Sequence, residues 1–228
     1  TAGCSLTAQQ PENNVVRVAL QALAAILGGT QSLHTNSRDE VLALPTEEAV
    51  TIALRTQQII AHETGVTDTI DPLGGSYYAE ALTNKLEEEA QKYFDKIDAL
   101  GGMVAAIEKG YPQKEIMDAA YRYQESIDKK ERIIVGVNKY QSGNGLSIST
   151  LKIDPKIEER QISRLKKVRE ERDPLKHKQA LNRLKEVAKG SDNIMPHILE
   201  AVKSYATIGE ITDVLREVFG QYQDPAIY

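Results

Sequence analysis

Residues 30–40 have the sequence "TQSLHTNSRDE" and follow directly on the apolar run "VVRVALQALAAILGG". The apolar run predicts a helix over residues 14–27 that, apart from Asn14 at its start, is polar only at Arg17 and Gln21. Such a helix is covered on nearly every other side. Two glycines end it, as glycine does at helix C-termini. We expect residues 30–34 to form a short buried strand, and "TNSRDE" to be the loop that leaves it.

The same order of elements follows a second time. Thr46 is the predicted N-cap of a helix, with two glutamates in the first turn, where the helix dipole favours anions. Apolar or small residues then recur at helical spacing at Ala49, Ile52, Ala53, Thr56, Ile59 and Ile60. "ETGVTDTI" predicts a turn and a short strand, and "DPLGGS" a loop, before a helix from Tyr77 to about Ala99. This repeat of about 40 residues predicts an α/β barrel or doubly wound sheet with its chemistry on the loops.

After Leu100 the predicted structure is mostly helical. A short helix in "GGMVAAIEKGYP" and a charged helix over residues 113–129 precede two strand-like segments, "RIIVGVNKY" (132–140) and "SISTLKID" (147–154), around the turn-rich "QSGNG". Four helices follow: two charged ones within 155–189, broken at Asp173-Pro174, and shorter ones near 195–205 and 207–219. We place a boundary near residue 100 and expect a helical, solvated scaffold after it.

The composition excludes several functional classes. The net charge is −5 and the pI about 5.5, so the chain has no electrostatic signature for nucleic acid or an anionic membrane. Its one cysteine excludes an internal disulfide and a multi-cysteine zinc site, and suits a reducing cytoplasm. No apolar stretch approaches the ~20 residues of a membrane span. The four histidines lack metal-ligand spacing, and no phosphate-binding glycine motif is present.

Three features have both a structural and a functional interpretation. Residues 155–189 hold twelve Lys or Arg against six Asp or Glu, which favours a solvated helix surface over subunit contact or phosphate recognition. Cys4 is a nucleophile only beside a base or a helix N-terminus, so we expect a small buried thiol. The third feature is a cluster of polar side chains, which either cap and bridge strands or face a ligand: Gln31, His34, Asn36, Asp39 and Glu40.

Six segments together resemble the large subunit of adenosylcobalamin-dependent acyl-CoA mutases, methylmalonyl-CoA mutase being the most similar type. In chain order they are "TAGCSLTAQQPENNVVR", "GGTQSLHTNSRDEVLALPT", "DPLGGSYYAE", "LGGMVAAIEKGYP", "GVNKY" and "IGEITDVLREVFG". The resemblance spans nearly the whole chain, and "TQSLHTNS-DE-LALPT" is its most specific part.

The resemblance implies an α/β fold that is predominantly helical in this chain. Residues 1–95 would be the C-terminal portion of a (β/α)₈ TIM barrel, and residues 96–228 a helical region after it. Since the chain opens at Thr1 without methionine, we expect a fragment that is inactive alone. The missing N-terminal barrel segment, and a cobalamin-binding domain or small subunit that supplies cobalt's lower ligand, are the implied partners in a homo- or hetero-oligomer.

The resemblance also implies which residues face the cofactor, adenosylcobalamin. Gly3 matches a glycine whose backbone lies against the corrin, where a side chain would clash. Glu40 matches a carboxylate that meets the adenosyl ribose hydroxyls. Val41 and Ala43 occupy neighbouring positions on the same cobalamin-binding face.

Gln31 and Ser32 match a strand end that reaches toward acyl-CoA. The family's catalytic tyrosine and histidine belong to segments outside this chain, so no catalytic residue is assigned. The implied reaction is the radical rearrangement of (R)-methylmalonyl-CoA to succinyl-CoA. Cys4 stands where several methylmalonyl-CoA mutases have tryptophan, so an isobutyryl-CoA or 2-hydroxyisobutyryl-CoA mutase is an alternative. A non-catalytic helical interaction module is the alternative from another class.

Overall fold

The chain is predominantly helical, as predicted. A computed structural model describes residues 1–143 and 148–223, which form two compact units, Thr1–Lys152 and 153–223. The helices within these ranges are α1 Asn13–Leu27, α2 Glu47–Glu63, α3 Tyr77–Ala99, α4 Met103–Glu108, α5 Tyr111–Asp128, α6 Pro155–Glu171, α7 Pro174–Ala188, α8 Met195–Lys203 and α9 Ile208–Phe219. Two 3₁₀ turns lie at Gly3–Ser5 and Val66–Asp68.

Side-chain caps start the helices where the sequence predicts. The Thr46 hydroxyl accepts from Ala49 N at 3.3 Å and begins α2. Asp173 accepts from the backbone nitrogens of Leu175 (2.9 Å) and Lys176 (3.1 Å) and begins α7, which confirms the break between the two charged helices. Such caps satisfy backbone N–H groups that have no partner inside the first turn.

The predicted strands are wrong for the described residues, in which no strand forms and the one isolated bridge joins Val135 to Lys139. A strand needs a neighbouring strand to pair its backbone, and no described segment lies beside residues 30–34 in that way. Gln57 of α2 instead donates its side-chain amide to Leu33 O at 3.3 Å. The segment has no regular secondary structure, and it exposes Gln31, Ser32 and His34 rather than burying them.

The segment "RIIVGVNKY" forms a turn around the side chain of Asn138. Its Oδ1 accepts from Ile134 N at 2.8 Å, and its Nδ2 donates to Ile127 O at 2.9 Å and to Arg132 O at 2.8 Å. Gly136 has a φ of 83°, which favours glycine. A side chain therefore takes the place of a strand partner. The last two residues of "QSGNG" (144–145) and the first residue of the second predicted strand (147) lie outside the described residues. The rest of that predicted strand, residues 148–154, forms no strand.

Each unit has its own small apolar core. In the first unit α1 packs on α2 and buries Val18, Ala22, Ala49, Ala53 and Ile60. In the second unit, Leu184 of α7, Ala201 of α8 and Ile211 of α9 form a buried cluster. Burial of such side chains is the main favourable contribution to folding.

The predicted covering of α1 is wrong within the described structure. Val16 is 59% exposed and Leu20 is 64% exposed, although α2 packs on this helix and Arg17 Nη2 donates to Val135 O at 2.8 Å. The long helix α3 buries none of its residues. Within the described ranges, no helix has both the length and the apolar character that a membrane crossing requires.

Candidate functional site

The first residues of the chain form an exposed turn that α1 holds in place. Gly3–Ser5 is a 3₁₀ turn closed by a hydrogen bond from Leu6 N to Gly3 O at 3.1 Å. From α1, the Gln21 side chain accepts from Ala2 N at 2.9 Å and donates to Ser5 Oγ at 2.7 Å. Gly3 and Cys4 are both exposed. This turn therefore presents open backbone at Gly3.

Gly3 and Glu40 meet at the side-chain amide of Asn36. A Cβ added at Gly3 would lie 3.8 Å from Asn36 Nδ2. The same Nδ2 donates to Glu40 Oε2 at 2.6 Å, and Ser37 N donates to Glu40 Oε1 at 2.6 Å. Each carboxylate oxygen thus accepts one hydrogen bond and keeps a further lone pair for another donor. The structure brings together two predicted site residues that are far apart in the sequence.

The Glu40 carboxylate is accessible to a ligand. Its side chain is 25% exposed, and His34 Nε2 lies 3.9 Å from Glu40 Oε1. On the turn that follows, Val41 is exposed and Ala43 is half-buried. This part of the site therefore offers a carboxylate acceptor beside apolar surface, which suits a ligand that has hydroxyl groups and an apolar body.

Asn14, at the start of α1, joins the segment after Gly3 to the turn of Glu40. It is fully buried, and its Nδ2 donates to Thr7 O at 3.0 Å and to Arg38 O at 2.9 Å. Its Oδ1 accepts from Thr7 N at 3.0 Å and from Arg17 Nη1 at 2.8 Å. All four hydrogen-bonding positions of this amide are therefore filled, and three chain segments are tied at one point.

Asp39 lies beside Glu40 and is 1% exposed. Its Oδ2 accepts from both the backbone nitrogen and the hydroxyl of Thr46, each at 2.9 Å. Thr46 is the N-cap residue of α2, so the Asp39 carboxylate ties the turn of Glu40 to that helix. Its other oxygen, Oδ1, is buried and has no hydrogen-bond partner among the described residues.

Gln31 and Ser32 line a cavity of about 330 Å³ between the end of α1 and α2. Its walls combine apolar and amide side chains, including Ile26, Leu54 and Gln57. Gly3 and Glu40 are not among its lining residues. The structure therefore places the two predicted substrate-facing residues together, but in a different concavity from the predicted cofactor-facing pair.

Comparison with known proteins identifies the family. Residues 1–221 match the family model described as methylmalonyl-CoA mutase. This match covers nearly the whole chain.

The chain belongs to the methylmalonyl-CoA mutase family.

Individual relatives agree with the family model. The chain is 50% identical to the methylmalonyl-CoA mutase of Rhizobium meliloti (strain 1021), over 97% of this chain and 32% of that protein. It is 45% identical to the 2-hydroxyisobutanoyl-CoA mutase large subunit of Aquincola tertiaricarbonis, over 100% of this chain and 41% of the relative. Identity to the mitochondrial methylmalonyl-CoA mutase of Homo sapiens is also 45%, over 98% and 30% respectively. The chain thus spans less than half the length of these curated relatives.

The sequence does not predict the role of Asn14 in this member of the methylmalonyl-CoA mutase family. The sequence marks this residue only as the polar start of an apolar helix, whereas it is a fully buried hub. An uncharged amide next to a nearly unbroken apolar run is the available signal, because a buried amide requires partners. Thr35 has a structural role, since its hydroxyl donates to Ala53 O at 2.7 Å and accepts from Gln57 Nε2 at 3.0 Å, which ties the segment to α2.

The expectation of a buried thiol at Cys4 is wrong. Cys4 is exposed, because it projects from the 3₁₀ turn and not from a covered strand. It lines a cavity of about 510 Å³ together with Arg17, Tyr123 and Arg132. Among the described residues, no group of three or more His, Cys, Asp or Glu side chains is placed to hold a metal ion.

Proposed function

We propose that this chain forms part of a coenzyme B12-dependent acyl-CoA mutase, an isomerase of the methylmalonyl-CoA mutase type. Its substrate would be (R)-methylmalonyl-CoA and its product succinyl-CoA. The family match over residues 1–221 and the 50% identity to a methylmalonyl-CoA mutase support this reaction. The structural observation that carries the proposal is the meeting of Gly3 and Glu40 at Asn36.

The residues present fit adenosylcobalamin. At Gly3, no neighbour lies closer than 3.8 Å to the position that a Cβ would occupy, so a flat macrocycle can approach the exposed backbone. Glu40 offers carboxylate oxygens to ribose hydroxyls, and Val41 and Ala43 offer apolar contact on the same turn. When bound, the cofactor supplies a cobalt–carbon bond that breaks homolytically and starts radical chemistry. This chain's own contribution would be to orient the cofactor and to exclude water.

We assign the substrate-facing role to Gln31 and Ser32. Both are exposed and line the cavity of about 330 Å³, and their amide and hydroxyl groups can hydrogen-bond the polar atoms of an acyl-CoA. The assignment follows the family resemblance of "TQSLHTNS" and is supported by the mixed polar and apolar lining of the cavity.

The remaining architecture is also a proposal. Residues 1–95 would be the last βα units of a TIM barrel and residues 96–228 a helical scaffold. An N-terminal barrel segment and a cobalamin-binding subunit would complete the enzyme, and the name of the Aquincola tertiaricarbonis relative, a large subunit, supports a second subunit. The single cysteine supports a cytoplasmic location.

A 2-hydroxyisobutyryl-CoA mutase is the second candidate. The relative with that activity in its name matches the whole chain at 45% identity. Cys4, exposed next to Gly3, also supports it, because the family resemblance implies a tryptophan at this position in several methylmalonyl-CoA mutases. Turnover of the two acyl-CoA substrates by the same preparation decides between the two reactions.

The test of the proposal is the substitution Glu40→Ala in the complete enzyme that carries this chain, assembled with its cobalamin-binding part. We expect the Kd for adenosylcobalamin to rise about 10- to 100-fold, the effect of losing a hydrogen bond to a charged group. The Kd for hydroxocobalamin, which has no adenosyl group, should stay unchanged. Absorbance titration measures both constants.

The matched control is Glu87→Ala, which removes an exposed glutamate from α3 and should leave both constants unchanged. If Glu40→Ala leaves adenosylcobalamin binding and turnover at the level of the unsubstituted enzyme, the proposal is overturned. The non-catalytic helical module would then be the better interpretation.

A further inference from the structure

We infer that Asp39 is a positioning residue, which sets the place of the Glu40 carboxylate by fixing the turn of residues 37–43 to α2. The inference rests on the proposed function, since Glu40 matters for binding only if it meets the cofactor. Asp39 itself is buried and does not reach the ligand-accessible side of the site.

The first support is the number of hydrogen bonds that Asp39 makes within its own loop. Its carboxylate accepts from Thr46 N and Thr46 Oγ1, both at 2.9 Å. Its backbone oxygen accepts from Leu42 N at 2.9 Å and from Ala43 N at 3.1 Å. One residue therefore holds both the turn that carries Val41 and Ala43 and the residue at which α2 begins.

The second support is the rigidity of the element at the other end. Thr46 Oγ1 also accepts from Ala49 N, at 3.3 Å, and so belongs to the cap of α2. That helix is anchored by the buried side chains of Ala49, Ala53 and Ile60. The hydrogen bonds from Thr46 therefore attach the turn to a packed helix and not to another loop.

The third support is that consecutive residues tie the turn to two different helices. Arg38 O accepts from Asn14 Nδ2 of α1 at 2.9 Å, and the next residue, Asp39, binds the start of α2. Glu40 follows directly, and its own backbone nitrogen donates to Ser37 O at 3.2 Å. With both neighbouring attachments made, the backbone of Glu40 has little freedom to move, and its carboxylate stays at Asn36.

The chemistry of the contact supplies a conservative variant. Both hydrogen bonds from Thr46 end on a single oxygen of Asp39, Oδ2, and an asparagine oxygen can accept the same two bonds. Asp39→Asn therefore keeps the attachment and removes the charge, whereas Asp39→Ala removes the attachment. A positioning role predicts that these two variants differ strongly.

The experiment titrates the complete enzyme and its Asp39→Ala, Asp39→Asn, Glu40→Ala and Asp39→Ala/Glu40→Ala variants with adenosylcobalamin and with hydroxocobalamin. For Asp39→Ala we expect the Kd for adenosylcobalamin to rise about tenfold, and the Kd for hydroxocobalamin to rise by a clearly smaller factor, because that cofactor meets Val41 and Ala43 on this turn but has no adenosyl ribose for Glu40. Asp39→Asn should stay within about threefold of the unsubstituted enzyme. The double variant should bind no more weakly than Glu40→Ala alone, because a positioning residue has nothing left to position.

Amide hydrogen exchange gives a readout that does not depend on the cofactor. In Asp39→Ala, the amide of Thr46 loses its acceptor, Asp39 Oδ2, and should exchange faster. The amides of Leu42 and Ala43 keep the backbone acceptor Asp39 O, but they should also exchange faster because the turn is no longer tied to α2. The control Asp154→Ala removes a comparable helix-start acceptor, that of Lys156 N at the beginning of α6, and should change neither Kd value.

The outcomes distinguish the positioning role of Asp39 from the proposed function of Glu40. The positioning role is overturned if Asp39→Ala weakens both cobalamins equally, if its effect adds to that of Glu40→Ala, or if exchange at residues 42–46 is unchanged. A silent Glu40→Ala instead overturns the proposed function, and the inference with it. A selective effect of Glu40→Ala combined with a silent Asp39→Ala overturns the inference alone.

Discussion

Each unit contains a carboxylate held by several hydrogen bonds, and the donors differ in charge between the two units. Asp39 in the first unit is held by the backbone nitrogen and hydroxyl of Thr46, both of which are neutral. Glu210 in the second unit accepts from both Nη atoms of Arg172 at 2.7 Å. The Arg172 guanidinium holds the pKa of Glu210 well below its usual range, since a close positive charge favours the ionised form.

Further contacts complete the second arrangement. Thr207 and Glu210 form a reciprocal capping box at the start of α9, and His177 Nε2 lies 3.3 Å from Glu210 Oε2. Arg172 also donates to Tyr205 O at 3.1 Å. The cluster is thus neutralised and saturated by its own unit, which is typical of a structural ion pair.

This contrast indicates where a ligand can bind. Glu210 is already engaged by a cation, and its hydrogen bonds close the cluster onto itself. Around Glu40 the donors are neutral and the carboxylate keeps unused lone pairs. The neutral hydrogen bonds around Asp39 and Glu40 therefore fix the position of the Glu40 carboxylate without cancelling its negative charge, which a ligand would meet.

The largest expected effect tests the network of the first unit. Asn14→Ala leaves three backbone groups without partners, namely the buried Thr7 N and Thr7 O and the partly buried Arg38 O. We expect the free energy of unfolding of the first unit to fall by about 3–4 kcal/mol, at about 1 kcal/mol or more for each group. Hydrogen exchange of the α1 amides measures it.

The control for this prediction is Asn84→Ala on the exposed surface of α3, which should change the stability by no more than about 0.5 kcal/mol. An equally small effect at Asn14 would show that water or neighbouring groups replace the amide, and the contrast between the two units would then be lost.

The second effect tests the ion pair of the second unit. Glu210→Gln keeps the shape of the side chain but leaves the charge of Arg172, whose side chain is only 13% exposed, without a counter-ion. We expect the second unit to lose about 2–3 kcal/mol of stability, measured by hydrogen exchange of the α7 and α9 amides. Lys185→Gln, which breaks the exposed pair with Glu217, serves as the control and should cost no more than about 0.5 kcal/mol.

The third prediction concerns the dependence of the second unit's stability on pH. Because the pKa of Glu210 is lower in the folded state than in the unfolded chain, its contribution to stability is complete above about pH 4.5 and is lost as the pH falls toward the folded value. We expect the second unit to lose about 1–2 kcal/mol between pH 5 and pH 3 on account of this group. Glu210→Gln should remove that part of the acid dependence, and an unchanged pH profile in the variant would contradict the assignment.

Local chemistry makes the helices predictable. Thr46, the Asp173-Pro174 break and the apolar spacing after residue 46 each act within a few residues, so the bounds of α2, α3 and α7 agree with the predicted ones. Strands depend on partners that are distant in the sequence, which is why the strand predictions for residues 30–34 and 132–140 are wrong. The predicted covering of α1 is too extensive for the same reason. The apolar pattern indicates which sides of a helix favour burial, but it does not indicate whether the described residues pack against those sides.

The candidate site is predictable in composition but not in geometry. The density of polar residues in "TNSRDE" indicates an unusual loop, and the family resemblance selects Glu40 within it. No sequence pattern indicates that Asn36 joins Glu40 to the Gly3 turn, or that Asn14 fills all four of its hydrogen-bonding positions. Such relations arise from packing between segments.

The exposed thiol of Cys4 has a practical consequence. It is the sole cysteine of the sequence, and it lies next to Gly3 at the proposed cofactor face. A maleimide-linked fluorophore or nitroxide would therefore attach to this chain at one position without the removal of any other thiol. Quenching of such a probe by an added corrin would then report directly how near the ring comes to the 3₁₀ turn.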